Sequence, residues 1–287
     1  MSNTVTTSFP RSRYRMGMPS LNLWLGGALT FSLFAIAILS YFWTPHSVGR
    51  MNMRARLQAP SLDYLLGTDH FGRDILSLLM VGAQSALKIG LVAVLIGLVL
   101  GVILGLVAAA RGGWLEELAM RASDLLFAFP VVLLAIMLAA AFGPGSLTSM
   151  IAIGVHNIPI FARLTRGGAK SIMAREFVMA SRVAGRSSSY IAVLHVLPNV
   201  LNILVVQATI SFAIAILADA ALGYLGLGTQ PPTPTWGRML KDAQSFLSQS
   251  PYLAIFPGLA IALTVLGLNL FGDALRDRLD PRSSQGR

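Results

Sequence analysis

Long uncharged stretches alternate with short polar ones along this chain, and the uncharged stretches predict membrane-spanning helices. A helix crosses the hydrocarbon core in about 20 residues. Leu21 to Trp43 holds no charge and predicts a first span over 21–43. Ile89 to Ala110, bounded by Lys88 and Arg111, predicts the second. Leu125 to Ala162 is uncharged throughout and too long for one crossing. Gly143-Pro144-Gly145 interrupts it, because Gly and Pro favour turns and Pro ends the helix before it. The stretch therefore divides into a third span near Leu125–Phe142 and a fourth near Leu147–Ala162. Pro198 to about Leu217 predicts the fifth, with Pro at a helix start where its missing N–H costs little. About Leu253 to Phe271 predicts the sixth. The expected fold class is an all-α integral membrane protein with six transmembrane helices.

Composition agrees with this reading. Of 287 residues, 55% are hydrophobic and only 12% charged, with a mean hydropathy of +0.69. A soluble domain carries about a quarter of its residues charged. With no cysteine, disulfides and thiolate metal sites are excluded. Residues 1–20 are polar, with Arg11, Arg13 and Arg15, and the apolar run after them is too long for a signal peptide. The run reads as a retained first span.

Six spans place both termini on one side. Fifteen of the 22 Lys and Arg residues fall on that side, in the N-tail, Arg111–Arg121, Arg163–Arg186 and the C-tail. The positive-inside rule makes that side cytoplasmic. The net charge of +10 is then a topology signal rather than a nucleic-acid footprint. The expected organisation is a cytoplasmic tail (1–20), a first transmembrane helix (21–43) and an outer loop (44–88). A permease core (89–271) with a cytoplasmic segment at 163–197 follows, and then a cytoplasmic tail (272–287).

Within the spans, Gly97, Gly101 and Gly105 lie four apart on one face, which permits close helix approach. Packing within the chain is preferred over a dedicated dimer face. His156 precedes Pro159 and is expected to satisfy a backbone group that Pro159 frees. Asp219 falls near the outer end of the fifth span, within reach of interfacial water or of the Ala220–Tyr224 turn. In the outer loop, Asp69 and Arg73 form an i,i+4 pair if helical, and self-pairing is preferred over contact with a binding protein. Pro231, Pro232 and Pro234 stiffen the loop after the fifth span, and Trp236 suits the membrane interface, so a structural lid or an interface anchor is expected rather than substrate contact.

The polar segment Glu176–Asn199, EFVMASRVAGRSSSYIAVLHVLPN, stands between long apolar runs. Phe177, Ala180, Val183 and Ala184 recur at helical spacing, giving one apolar face. Gly185 permits a turn closed to most residues, and Ser187, Ser188 and Ser189 offer caps for a helix starting near Tyr190. A partner-docking helix and an amphipathic helix lying on the membrane are both consistent with this pattern.

The segment resembles the signature of permease subunits of binding-protein-dependent ABC importers. That signature is Glu-Ala-Ala, three residues, Gly, nine residues, then Ile-x-Leu-Pro. Here its positions are Met179-Ala180-Ser181, Gly185 and His195-Val196-Leu197-Pro198, with the spacing intact and Met179, Ser181 and His195 as departures. Glu176 and His195 fit the peptide and nickel branch. Leu66–Asp74, LGTDHFGRD, is similar to the LGTD-x-x-GRD segment of that branch's second permease. Leu225–Gly237, LGLGTQPPTPTWG, resembles its LGLG-x-x-PP-x-P-x-WG loop.

The resemblance implies the type I importer fold and a subunit of a bacterial inner-membrane complex. The implied partners are a second homologous permease, two cytoplasmic ABC ATPases that use ATP and Mg, and an extracytoplasmic solute-binding protein. It further implies that Glu176, Phe177, Ala180, Ser181, Gly185, Leu197 and Pro198 form the ATPase-coupling segment. Di- or oligopeptides are the expected cargo, with nickel or another small solute as the alternative.

No catalytic set is legible. His46, His70, His156 and His195 are dispersed without metal-ligand spacing, and neither G-x-x-x-x-G-K-[ST] nor G-x-S-x-G occurs. No cofactor, metal or substrate-lining residue is assigned to the chain. A stand-alone secondary transporter is the competing reading, though no internal repeat is visible.

Overall fold

The computed structural model describes residues 21–279. The expected N-tail and the last residues of the C-tail, including Arg282 and Arg287, lie outside the described residues. The described chain is almost entirely helical: α1 Leu21–Phe42, α2 Ile75–Arg111, α3 Gly113–Ala128, α4 Val131–Phe142, α5 Ser146–Met173, α6 Glu176–Val183, α7 Ser188–Ile191, α8 Leu197–Leu225, α9 Trp236–Ala243 and α10 Tyr252–Leu279. A π-helical turn over Ala192–Val196 joins α7 to α8, so one helix runs over Ser188–Leu225. Among the described residues five helices are long and apolar enough to cross a membrane, or six if the bent pair α3–α4 is counted as one span.

Several elements differ from their sequence expectation, each for a physical reason. α2 starts at Ile75 rather than Ile89, inside the expected 44–88 loop, because Asp74 caps it by accepting from the Ser77 N–H (2.9 Å). Lys88 rides exposed on this helix and does not end it. The third span is not one helix over 125–142. Pro130 has no N–H to donate and holds Phe129 extended (φ −84°, ψ 121°), and the chain turns by 85° between α3 and α4. α5 continues past Ala162 to Met173. α10 continues to Leu279, into the expected 272–287 tail.

Pro198 does not start its helix. It sits just after the π-turn, in which the Leu197 N–H reaches the Ala192 carbonyl. The wider turn accommodates a proline ring that would otherwise clash one turn back.

The core is built on α2 and α5, the most extensive helix pair. The glycine stripe faces α5, as expected for packing within the chain. A Cβ on Gly101 would lie 2.6 Å from Phe161 Cβ, and one on Gly105 2.7 Å from Thr165 Cβ. α8 packs against α2, α5, α9 and α10, while α1 lies outermost, against α10 and α2. Most large side chains of α1 are exposed, among them Trp24, Phe31 and Phe42, as suits a lipid-facing helix.

Candidate functional site

The two ends of the bundle carry different devices. At one end the chain leaves α5, forms α6 and turns back into α7. At the other, the loop before α2 and the loop after α8 pack into a cap. The helix Ser188–Leu225 connects the two ends and is roughly 55 Å long at 1.5 Å per residue.

α6 is short, and its end is fixed by hydrogen bonds. Ala184 N–H reaches the Ala180 carbonyl (3.0 Å), Gly185 N–H the Arg182 carbonyl (3.0 Å) and Arg186 N–H the Ser181 carbonyl (3.1 Å). The last two are the paired bonds of a Schellman turn, which requires a left-handed residue at Gly185. Gly185 has φ 76°. Ser187 then caps α7 by accepting from Tyr190 N–H at 3.3 Å.

Val178 alone on α6 is fully buried. It joins a cluster with Ile172, Ile191, Val196 and Val200. The expected apolar face is open instead: Phe177, Ala180 and Ala184 are exposed and Val183 is 91% exposed. One buried valine therefore anchors α6, while Met179, Ala180, Val183 and Ala184 stay exposed.

His195 organises the segment from behind. Its Nε2 lies 3.3 Å from Ser181 Oγ, and its ring meets Phe177 (6.2 Å) and Tyr190 (5.8 Å) edge-on. Its carbonyl accepts from Asn199 Nδ2 at 2.7 Å. The structure thus brings Phe177, Ser181 and His195 together, with Leu197 and Pro198 following in the helix that carries His195. Glu176 lies exposed in the first turn of α6, and Ala180 faces outward.

The helix feeding α6 is laced to the broken span, a feature with little trace in the sequence. His156, Arg163, Arg166 and Lys170 recur along one face of α5. Arg166 and Lys170 both bind Glu116 of α3. Arg163 pairs with Asp124 (3.2 Å) and covers the Phe127 ring (4.6 Å). His156 stacks on Phe127 (5.5 Å, 14°), close to the break at Pro130, and its buried Nδ1 has no hydrogen-bond partner among the described residues. The charges fall in antiparallel register along the two helices.

At the opposite end, LGTDHFGRD folds into a tight turn rather than a helix. Asp69 N–H donates to the Arg73 carbonyl (2.9 Å), and Gly72 N–H to the Asp69 carbonyl (3.0 Å). The Asp69 carboxylate accepts from the N–H groups of Phe71 and Arg73 (2.8 Å each) and pairs with the Arg73 guanidinium (2.6 Å). The self-pairing is as expected, although the helix is absent. Trp236 is not at an interface. It is 5% exposed, lies against Gly82 of α2, and donates Nε1–H to the Leu79 carbonyl at 3.0 Å. Asp219 is likewise buried at 5% exposure, with Oδ1 unpartnered, and reaches no surface. Among the described residues, no group of three or more His, Cys, Asp or Glu is placed to hold a metal ion.

Comparison with known proteins agrees with this architecture. The family described as binding-protein-dependent transport system inner membrane component matches residues 97–285. The chain is 44% identical over 258 residues to the dipeptide transport system permease protein DppC of Alkalihalophilus pseudofirmus, covering 90% of this chain and 85% of that one. It is 43% identical to the di/tripeptide permease DppC of Pseudomonas aeruginosa (90% and 88% covered). It is 46% identical over 223 residues to the glutathione permease GsiD of Shigella flexneri (78% and 74% covered). An inward-facing structure of the methionine ABC transporter MetNI shares the fold, with a TM-score of 0.59 and 19% identity over 71% of this chain and 96% of that one. The chain belongs to the inner-membrane permease components of binding-protein-dependent transport systems, with the type I ABC importer fold.

Proposed function

We propose that this chain is one of two permease subunits of an ATP-driven importer for di- and oligopeptides, and that α6 with its Schellman turn docks on a cytoplasmic ATPase. The observation that carries the docking is the open apolar face of α6, fixed by Gly185 and backed by His195. Peptide cargo rests on the two relatives named for di- and tripeptide transport. The relative named for glutathione transport supports a second cargo of the same kind, itself a modified tripeptide.

In this reading both termini are cytoplasmic, following the charge bias along the sequence. A second homologous permease completes the pathway. Two ATPases bind ATP and Mg, and this chain carries no hydrolytic step. ATPase closure pulls on α6, and α5 passes the movement to α3 through its line of ion pairs. The bundle then switches between two packed states, biased by a ligand that binds them unequally.

The test is reconstitution with a second permease, two ATPases and a solute-binding protein, measuring uptake of labelled dialanine and glutathione into vesicles. The expected result is uptake that requires both ATP and the binding protein. Uptake by this chain alone without ATP would overturn the reading in favour of a stand-alone transporter.

A further inference from the structure

The cap holds a cavity of about 250 Å³. One wall is the LGTDHFGRD turn with Met51, and the other is the proline loop with α9. Its lining is largely apolar: Met51, Phe71, Leu78, Pro232, Met239 and Leu253. Charges occur in it only as pre-formed pairs, Arg73 with Asp69 (2.6 Å) and Arg238 with Asp242 (2.9 Å). His70 stacks on Phe246 (5.2 Å) and meets the Phe71 ring at a tilt (3.9 Å, 46°). Burial holds its imidazole below the usual histidine pKa, which favours the neutral ring.

These observations define what fits. A wall whose charges are already paired offers no uncompensated charge to a ligand carboxylate or ammonium. The volume suits a single large side chain rather than a peptide; whole ligand pockets run from about 300 to 1,000 Å³. Arg56 lies over the Phe246 ring (5.8 Å) that stacks on His70, and exposed Arg50 directly precedes the lining Met51, so the rim carries basic charge. The cavity lies at the end of the bundle opposite α6, and the family's transport depends on a binding protein.

We infer that this cavity is a socket for one aliphatic or aromatic side chain of the solute-binding protein, flanked on that protein by carboxylates that meet the basic rim. The inference rests on the importer reading, which makes the cap the outward face. An apolar anchor in a desolvated pocket within a polar rim is the arrangement that concentrates binding energy at interfaces. Electrostatic complementarity at the rim speeds and orients the encounter.

The test plugs the socket from either wall in the assembled transporter, held in nanodiscs. Thr233→Trp and Met51→Trp each add bulk at the mouth without entering the core. Leu62→Trp, at a residue 98% exposed outside the cavity, is the bulk control. The readout is the Kd of the purified solute-binding protein of the same system, loaded with dialanine, for complexes recovered whole. Each plug is expected to weaken binding at least about tenfold, with the control within about twofold of the wild type. Plugged complexes that bind as tightly as the wild type overturn the socket and leave the importer reading standing. A wild-type complex that does not bind the protein at all overturns the importer reading, and the socket with it.

Discussion

Gly185 separates backbone conformation from packing, so substituting it gives a clean prediction. Its φ is 76°, and a Cβ placed on it would meet nothing within 4 Å. A larger side chain therefore encounters no neighbour in this chain, and the whole penalty is conformational. A left-handed L-residue costs roughly 1–2 kcal/mol, least for Asn and most for a β-branched residue. That shifts the ratio of formed to unformed turn by roughly 5–30-fold. When the turn opens, the bonds of Gly185 and Arg186 to the Arg182 and Ser181 carbonyls are lost together. The open face of α6 is then no longer held in one orientation. ATP-driven uptake should fall in the order Gly185, Asn, Ala, Val, at equal membrane insertion. The assay is dialanine uptake by reconstituted complexes, normalised to recovered permease. Normal uptake by Gly185→Val would refute the conformational reading. If Asn and Val were equally inactive, the glycine would be needed for close approach of the ATPase, and the φ argument would fail.

Other outcomes follow from packing and charge. Trp236→Ala should destabilise the detergent-solubilised chain by about 3–5 kcal/mol, whereas Trp236→Phe removes chiefly the bond to Leu79 and should cost about 0.5–1.5 kcal/mol; equal losses in denaturant unfolding would contradict the burial. Gly101→Leu forces atoms into Phe161 and Ile158 and should cost about 1–3 kcal/mol or more. Gly27→Ala, with nothing within 4 Å of the new Cβ, should be neutral or slightly stabilising; the reverse order in thermal unfolding would count against the α2–α5 packing. Because burial lowers the His70 pKa from 6.5, its contribution to cap stability is fully present above 6.5 and is lost as pH falls through the folded value. Amide protection factors in residues 68–74, corrected for the intrinsic pH dependence of exchange, should therefore fall on acidification, and His70→Gln should flatten that response; equal protection factors at about pH 5 and about pH 8 would sink the idea.

Much of this molecule is legible in the order of its residues. Uncharged runs of spanning length gave the membrane helices, because a bilayer demands about 20 apolar residues and internal backbone bonding regardless of partners. The Gly185 turn and the Ser187 cap are local devices and were readable for that reason. What depends on distant neighbours was not. The sequence shows Trp236 as an amphipathic ring beside prolines, and only Gly82, bare on a helix far earlier in the chain, makes room to bury it. Glu116, Asp124 and Phe127 form a line with Arg166, Arg163 and His156 only because α3 and α5 lie side by side. The sequence placed Phe177, Ala180, Val183 and Ala184 on one face, and periodicity has no means of telling whether such a face is covered. Tertiary structure decided it by giving Val178 alone to the core, since the chain closes its own packing behind α6 and leaves the other side exposed.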